Sequence, residues 1–277
     1  MSERGYLHGT SRREQQRLID QAAKLTALLE SNLVLHPGER LLEIGCGVGA
    51  VLGQIGLAHP AAHLCGIDIS SEQIAAARLH LNGLGLEQVE LVVGDGAALP
   101  WEEGQFDRVR LVWVVEHLQD PLAALREAQR VLRPGGTIHI TETDYASLRV
   151  SPPDAAIEAL LSAFIAHFNR HGHAHAGPAL GPWLEQAGFQ EVTVEMVGIH
   201  HWCPSQHQQL QEFCRYLLGF IQPELGAMQA AAPNAADANW IETGLERLAR
   251  LAERPDGSIS ISAYQAQGMK LAKMSPG

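Results

Sequence analysis

The chain is predicted to fold as a doubly wound α/β protein, a mostly parallel seven-stranded sheet with a helix ahead of it and a helical roof inserted around strands 5 to 7. Three observations predict this. Apolar runs alternate with helical periodicity through five rounds between residues 40 and 141, and parallel neighbours require such crossover helices. The first run ends in alternate glycines, Gly45, Gly47 and Gly49, the kind of turn that lets a ligand approach bare backbone at the carboxyl end of a strand. Beyond residue 145 helical spacing dominates, with only two further strand patterns.

The elements follow in order. Ser11 and Glu14 form a capping box, and Leu18, Ala22, Leu25 and Leu29 then recur on one helical face. His36-Pro37-Gly38 breaks that helix, and Arg40–Ile44 is the first buried strand. A helix runs from the glycines toward Ala58, and residues 64–69 form a second strand. Ser70 caps the next helix, whose apolar face is Ile74, Ala77, Leu81 and Leu84. Residues 89–93 and 106–114 are strands three and four. Asp120-Pro121 is a cap with proline at the first helical position, and Leu122, Leu125 and Leu132 face inward. Pro134-Gly135-Gly136 turns into a fifth strand at 137–141. A helix at 154–169, a Gly/His-rich loop, a sixth strand at 192–197 and helices near 205–221 and 237–254 follow, the last two separated by an Ala/Pro/Asn segment. Residues 259–265 close the sheet as an antiparallel edge. We divide the chain into an N-terminal helix segment (1–35), a core that carries the glycine turn (36–146) and the remainder of the sheet with its helical roof (147–277).

Composition narrows the partners. Twenty basic against 31 acidic residues give a formal charge of −11, with no lysine or arginine run, which argues against nucleic acid and anionic membrane. The four cysteines lack C-x-x-C spacing, which fits a reduced, cytoplasmic protein. No run approaches the ~18 apolar residues of a membrane helix, and the first residues are too polar to begin a secretion signal.

The chemistry lies at the strand ends. Glu43 is an acid inside an apolar strand, placed to orient the glycine turn by accepting backbone N–H bonds. Asp68 closes the second strand, 19 residues after Gly49, where a carboxylate can accept from both hydroxyls of a ribose. Gly94-Asp95-Gly96 closes the third strand with a second acid, which a dinucleotide enzyme does not usually need.

In these stretches the chain resembles the class I S-adenosylmethionine-dependent methyltransferases, near the group of ubiquinone/menaquinone-pathway and natural-product enzymes that act on small molecules. The likeness covers residues 40–142 through Leu42-Glu43-Ile44-Gly45-Cys46-Gly47-Val48-Gly49, Gly66-Ile67-Asp68-Ile69-Ser70, Gly94-Asp95-Gly96 with Leu99-Pro100, Phe106-Asp107 and Val131-Leu132-Arg133-Pro134-Gly135-Gly136. The resemblance implies a Rossmann-like fold and S-adenosylmethionine as cofactor. Gly45, Cys46 and Gly47, with Gly49, would cradle its methionine part, Asp68 the ribose, Ile69 an adenine face, and Asp95 with Gly96 the adenine edge. Gln73 and Ala97 join this set, and Trp113 either offers a backbone carbonyl to the cofactor amino group or fills the core. Trp101 departs from the phenylalanine more usual in the family. An N-terminal segment often folds over the cofactor in relatives, so Tyr6 and Arg12 are candidate lid residues.

The reaction expected is in-line displacement at the sulfonium methyl, for which the protein supplies alignment and excludes water. A general base is needed only for a protonated nucleophile. His117, Glu142, Asp144 and Tyr145 are candidates, with His167, His200 or His201 from the roof, while bracing of the pocket is the alternative role for His117. Methyl transfer to carbon, nitrogen or oxygen is left open. Phe164, Phe168, Trp183, Trp202, Phe213, Tyr216 and Phe220 suggest an apolar or aromatic small acceptor, or else the core of the roof. His167, His171, His173 and His175 are read as loop or substrate-facing residues rather than a metal site, for lack of cysteine or acidic ligands beside them. Other classes stay open. A nicotinamide oxidoreductase should have its third glycine one position later and no Gly-Asp-Gly, and a non-catalytic cofactor-binding protein would keep the same pocket. The first helix would exchange between protomers in a homodimer or higher homo-oligomer, or else pack on its own sheet.

Overall fold

Strand-parity patterning builds the sheet that the computed structural model describes. It covers residues 33–272 together with Gln15, Leu18, Ile19 and Ala22. Seven strands lie in the order β3-β2-β1-β4-β5-β7-β6. They are β1 (Arg40–Ile44), β2 (His63–Asp68), β3 (Glu90–Val93), β4 (Phe106–Val112), β5 (Leu132–Ser151), β6 (Gln190–Trp202) and β7 (Ser258–Met269). The helices are α1 (Ala50–Ala58), α2 (Ser71–Gly83), α3 (Pro121–Val131), α4 (Ala155–Phe168), α5 (Ala176–Gln186), α6 (His207–Ile221), α7 (Leu225–Ala230) and α8 (Ala235–Ala249). Strands β1 to β5 are parallel, with Glu43 opposite Gly66 on one side and Arg110 on the other. Strand β7 runs antiparallel to β5, since Gly135 N–H donates to the Lys270 carbonyl and Ser262 N–H to the Ser147 hydroxyl, but it lies between β5 and β6, so the edge expected at 259–265 falls to β6 instead.

The chain divides into two compact units. The first comprises residues 1–142, 178–195 and 264–277, and the second 143–177 and 196–263. Within the first unit, alternate side chains go to opposite faces of the sheet. Leu42, Ile44, Ile67, Val109, Leu111, Ile138 and Ile140 pack on Leu125 and Ala128 of α3 and on Leu180 and Leu184 of α5. Leu41 and Leu64 point the other way, onto Leu52 and Ile55 of α1 and Ile74 and Leu81 of α2. The helix starts are capped as their sequences suggest. Ser70 Oγ accepts from Gln73 N–H at 3.3 Å, and Asp120 Oδ1 accepts from Ala123 N–H at 3.1 Å with Pro121 in the first turn.

In the second unit α4 and α8 pack closely, because a Cβ at Gly244 would collide with the Ala156 carbonyl. Tyr145, Phe164, Phe168 and Phe220 form one ring network with centroids 5.3–5.9 Å apart. Asp154 caps α4 and meets Arg247 of α8 at 3.1 Å.

Several boundaries differ from the sequence reading. Strand β4 stops at Val112, because Trp113 takes φ 53° and a 3-10 turn, Val115–His117, follows. Helix α5 occupies the stretch read as a Gly/His-rich loop; Pro178, Gly181 and Pro182 hide its helical periodicity, yet Leu180 and Leu184 are fully buried. The Ala/Pro/Asn segment is preceded by the short helix α7. The N-terminal helix lies largely outside the described residues. Of its described positions Leu18, Ile19 and Ala22 are helical and pack on Val48, Ala50, Val112 and Trp113.

Candidate functional site

Two turns of the first unit meet at the carboxyl ends of β1 and β4. The glycine turn is held from within. Gly45 and Cys46 N–H both donate to the Ile67 carbonyl, at 2.8 and 3.0 Å, Gly49 N–H donates to the Cys46 carbonyl at 2.8 Å, and Gly47 N–H donates to Asp68 Oδ2 at 2.9 Å. Gly45 has φ 70°, and a Cβ there would run into the Val114 side chain of the second turn.

Asp68 is the organiser of the first turn. Its Oδ1 accepts from Ser70 N–H at 2.9 Å while Oδ2 holds Gly47, so one carboxylate ties the end of β2 and the start of α2 to the glycines. Burial pushes its pKa up, and the backbone N–H groups of Ser70, Gly47 and Ile69 pull it back.

Glu43 departs from its expected role. It is 2% exposed and bonds the backbone of Leu52 in α1 rather than the glycine turn. Burial pushes its pKa up to about 8, with Arg110 opposing that rise. Arg110 stands opposite Glu43 on one side and His139 on the other, so an acid, a base and an imidazole line up across β1, β4 and β5. Burial and the neighbouring Arg110 and Arg108 push His139 down to about 4, and it bonds Thr137 at 2.9 Å.

The remaining cofactor candidates gather at the same strand ends. Ile69 is 46% exposed, unusual for an isoleucine closing a buried strand. Asp95 Oδ1 accepts from Ala97 N–H at 2.9 Å, which folds residues 95–97 past Gly96 into a tight turn. Gln73 is 1% exposed, and neither its side-chain oxygen nor its nitrogen has a hydrogen-bond partner among the described residues. Cys46 is buried, and burial with the nearby acids raises its thiol well above the ordinary range, so it offers packing rather than reactivity. Trp113 donates its N–H to the Thr141 carbonyl at 2.9 Å and packs against the glycine turn, not into the main core. Tyr6 and Arg12 lie outside the described residues.

The general-base candidates separate. Glu142 is fully buried, and its Oε1 accepts from Val114 N–H at 2.9 Å and Val115 N–H at 2.6 Å, so it braces a turn instead of facing an acceptor. Tyr145 is 5% exposed within the ring network of the second unit, which makes it core. His117 keeps a little exposure, with Nε2 3.4 Å from Glu116 Oε1. Asp144 meets the exposed His175 at 3.3 Å, an Asp–His pair that chain order concealed because the partners stand 31 positions apart. His167 is occupied by Glu224 at 3.0 Å and Arg170 at 3.1 Å. His200 stacks on Trp202, and burial together with His200 pushes His201 down. Among the described residues no three metal-ligating side chains converge. The aromatic hint also resolves into parts: Phe164, Phe168 and Phe220 are second-unit core, Trp183 packs on the first-unit core, and Trp202 remains 42% exposed.

Comparison with known proteins agrees with this geometry. Residues 42–140 match the family described as "Methyltransferase domain". A 37.1 kDa protein of transposon TN4556 from Streptomyces fradiae is 40% identical over half of the chain, which spans only 40% of that relative's length. A ubiquinone biosynthesis O-methyltransferase of Xanthomonas campestris pv. campestris is 29% identical over 69% of the chain and 79% of its own. Among solved structures, phosphoethanolamine N-methyltransferase 2 of Haemonchus contortus in complex with S-adenosyl-L-methionine shares the fold, with TM-score 0.58 and 17% identity over 90% of this chain and 53% of that one. No helix among the described residues is long and apolar enough to cross a membrane. Over residues 42–140, about a third of its length, the chain is therefore similar to a methyltransferase domain.

Proposed function

We propose that this chain transfers the methyl group of S-adenosylmethionine to a small metabolite. One observation carries the cofactor reading: the amides of Gly45, Cys46, Gly47 and Gly49 are all spent inside the fold, while acids stand at the ends of β2 and β3. A pyrophosphate seeks free N–H groups at such a turn. A sulfonium nucleoside with an ammonium group prefers carbonyls and carboxylates, which is what the turn presents.

Asp68 would hold the ribose, Ile69 an adenine face, Asp95 and Gly96 the adenine edge, and Gln73 would find in the ligand the partner its buried amide lacks. The bound cofactor supplies an already activated methyl group. The chain's own part is to fix the two turns, exclude water and align the acceptor. For a protonated acceptor, His117, in the same unit as the two turns, is the proton-accepting group. The family match stops at residue 140, so we assign acceptor recognition to the chain beyond it, as a helical roof, and lid duty to residues 1–35. The Xanthomonas relative favours a phenolic, quinol-type acceptor over a polyanion, in keeping with the acidic charge of this chain. Four free, buried cysteines suit the cytoplasm, and a homodimer is the assembly to seek by light scattering.

Isothermal titration with S-adenosylhomocysteine and with NAD tests the cofactor. Micromolar binding of the first and none of the second is expected, and the reverse would overturn the reading. Methyl transfer to a panel of quinols, phenols and amines tests the reaction. Tight cofactor binding without product on any of them would favour a non-catalytic binding protein.

A further inference from the structure

Three consecutive amides after β4 are tied to two consecutive residues of β5. Trp113 N–H goes to the Thr141 carbonyl, and Val114 and Val115 N–H both go to Glu142 Oε1. The same carboxyl group lies against Glu116, whose charge and side chain raise its hold on a proton, and its buried Oε2 accepts from no N–H or O–H among the described residues. Glu142 is 0% and Glu116 1% exposed, so bulk solvent does not reach them. Two carboxyl groups in this contact need a proton between them, because neither ionised oxygen can donate and two buried negative charges repel.

The turn they hold is also the wall of the glycine turn. Val114 projects its methyl groups into the space that the missing Cβ of Gly45 leaves open, and Trp113 packs beside Val48 and Ala50. A single valine thus connects the carboxyl pair to the cofactor turn: when the Val114 amide is held, its side chain is seated on Gly45.

We propose that Glu142 and Glu116 are a proton-sharing carboxyl pair that seats residues 113–117 on the glycine turn, making Glu142 a positioning residue for the cofactor and coupling cofactor affinity to pH. It rests on the cofactor assignment above only for the identity of the ligand. Ionisation of both acids at high pH loosens the Val114 amide and unseats the valine. Glutamine at 142 is the telling replacement, since its oxygen accepts the same two amides while its NH2 donates to Glu116 at every pH. Burial and Glu116 both raise Glu142 well above the usual carboxylate range. The other ionisable group on the turn is His117, 3.4 Å from Glu116.

The sign is fixed by linkage. A folded chain that keeps a proton which the unfolded chain releases near the ordinary glutamate range loses stability as pH rises through the interval between the two. The experiment compares wild type, Glu142→Gln, Glu142→Ala and His117→Gln. S-adenosylhomocysteine affinity and thermal unfolding are each followed from pH 6 to 9.5. For wild type we expect affinity to fall toward high pH, by at most about tenfold per pH unit for one linked proton. Glu142→Gln should bind within about threefold of wild type at pH 7 and lose most of that slope. Glu142→Ala should bind more than about tenfold weaker throughout, having lost the one oxygen that accepts from both amides. Equal slopes in wild type and Glu142→Gln would overturn the proposal, as would binding by Glu142→Gln as poor as by Glu142→Ala. A slope abolished by His117→Gln instead would assign the proton to the imidazole and overturn it too. Should wild type bind no S-adenosylhomocysteine, the cofactor reading fails, and the unfolding arm still decides the carboxyl pair: a pH slope that Glu142→Gln does not flatten rejects it.

Discussion

The turn after β1 and the turn after β4 do similar work by different means. In the first, glycines supply the conformation and the partly buried carboxylate of Asp68 holds it through Gly47 and Ser70. In the second, valines and a tryptophan supply the residues, one of them at φ 53°, and the fully buried carboxyl group of Glu142 holds them through Val114 and Val115. A glycine turn needs little external force, because its backbone meets no Cβ penalty. A turn of bulky residues must be held in place by its surroundings. The contrast teaches that the visible motif is only half of this junction; the other half is an apolar stretch whose shape is imposed by an acid 27 residues downstream of Val115.

Substitutions can break or sharpen this contrast. The largest effect is expected at Gly45, where a Cβ would run into Val114 of the second turn. Gly45→Ala combines a left-handed backbone with a clash against Val114, and it should cost about 2–4 kcal/mol, read as a lowered denaturant midpoint with an unchanged m-value. A loss below about 0.5 kcal/mol would mean that the second turn yields readily. Next comes Asp68→Ala, which removes two acceptors from the first turn alone. About 1–3 kcal/mol of stability should go, together with most affinity for S-adenosylhomocysteine in titration calorimetry. Restoring one acceptor with Asp68→Asn should recover part of the stability and less of the binding.

Glu43→Gln is the mildest and separates a neighbour from a holder. Glu43 carries its proton in the folded chain up to about pH 8, far above its unfolded range. Wild-type stability should therefore decline as pH rises from about 5 to 8, by at most about 1.4 kcal/mol per pH unit for this proton, and the variant should decline less. Cofactor affinity at pH 7 should change little, since Glu43 bonds α1 and not the glycines. A large loss of affinity would restore Glu43 to the role its position in the motif first suggested.

The first unit was the more legible in sequence because its signals are local. Gly45, Gly47 and Gly49 after an apolar strand, Asp68 two residues before the Ser70 cap and the Asp120-Pro121 helix start are each confined to a few positions, and each formed as read. Glu43 and Asp68 show the boundary of that legibility. Both are acids near one turn, yet which of them takes the Gly47 amide depends on where their carboxyl groups end up across β1 and β2. In the second unit Phe164, Phe168 and Phe220 had the same composition as an aromatic pocket, and only their burial made them core. Helix α5 was missed because proline and glycine masked a periodicity that packing enforces.

Periodicity, caps and glycine spacing determined the alternation of strands and helices, the position of the glycine turn and the likeness to a methyltransferase domain, because those are properties of near neighbours along the chain. Tertiary structure alone decided that Glu142 braces the Val114 turn, that Asp144 finds His175 and that Gly45 must make room for Val114. Such contacts join residues tens of positions apart, and burial at the meeting point sets whether an acid holds its proton or gives it up.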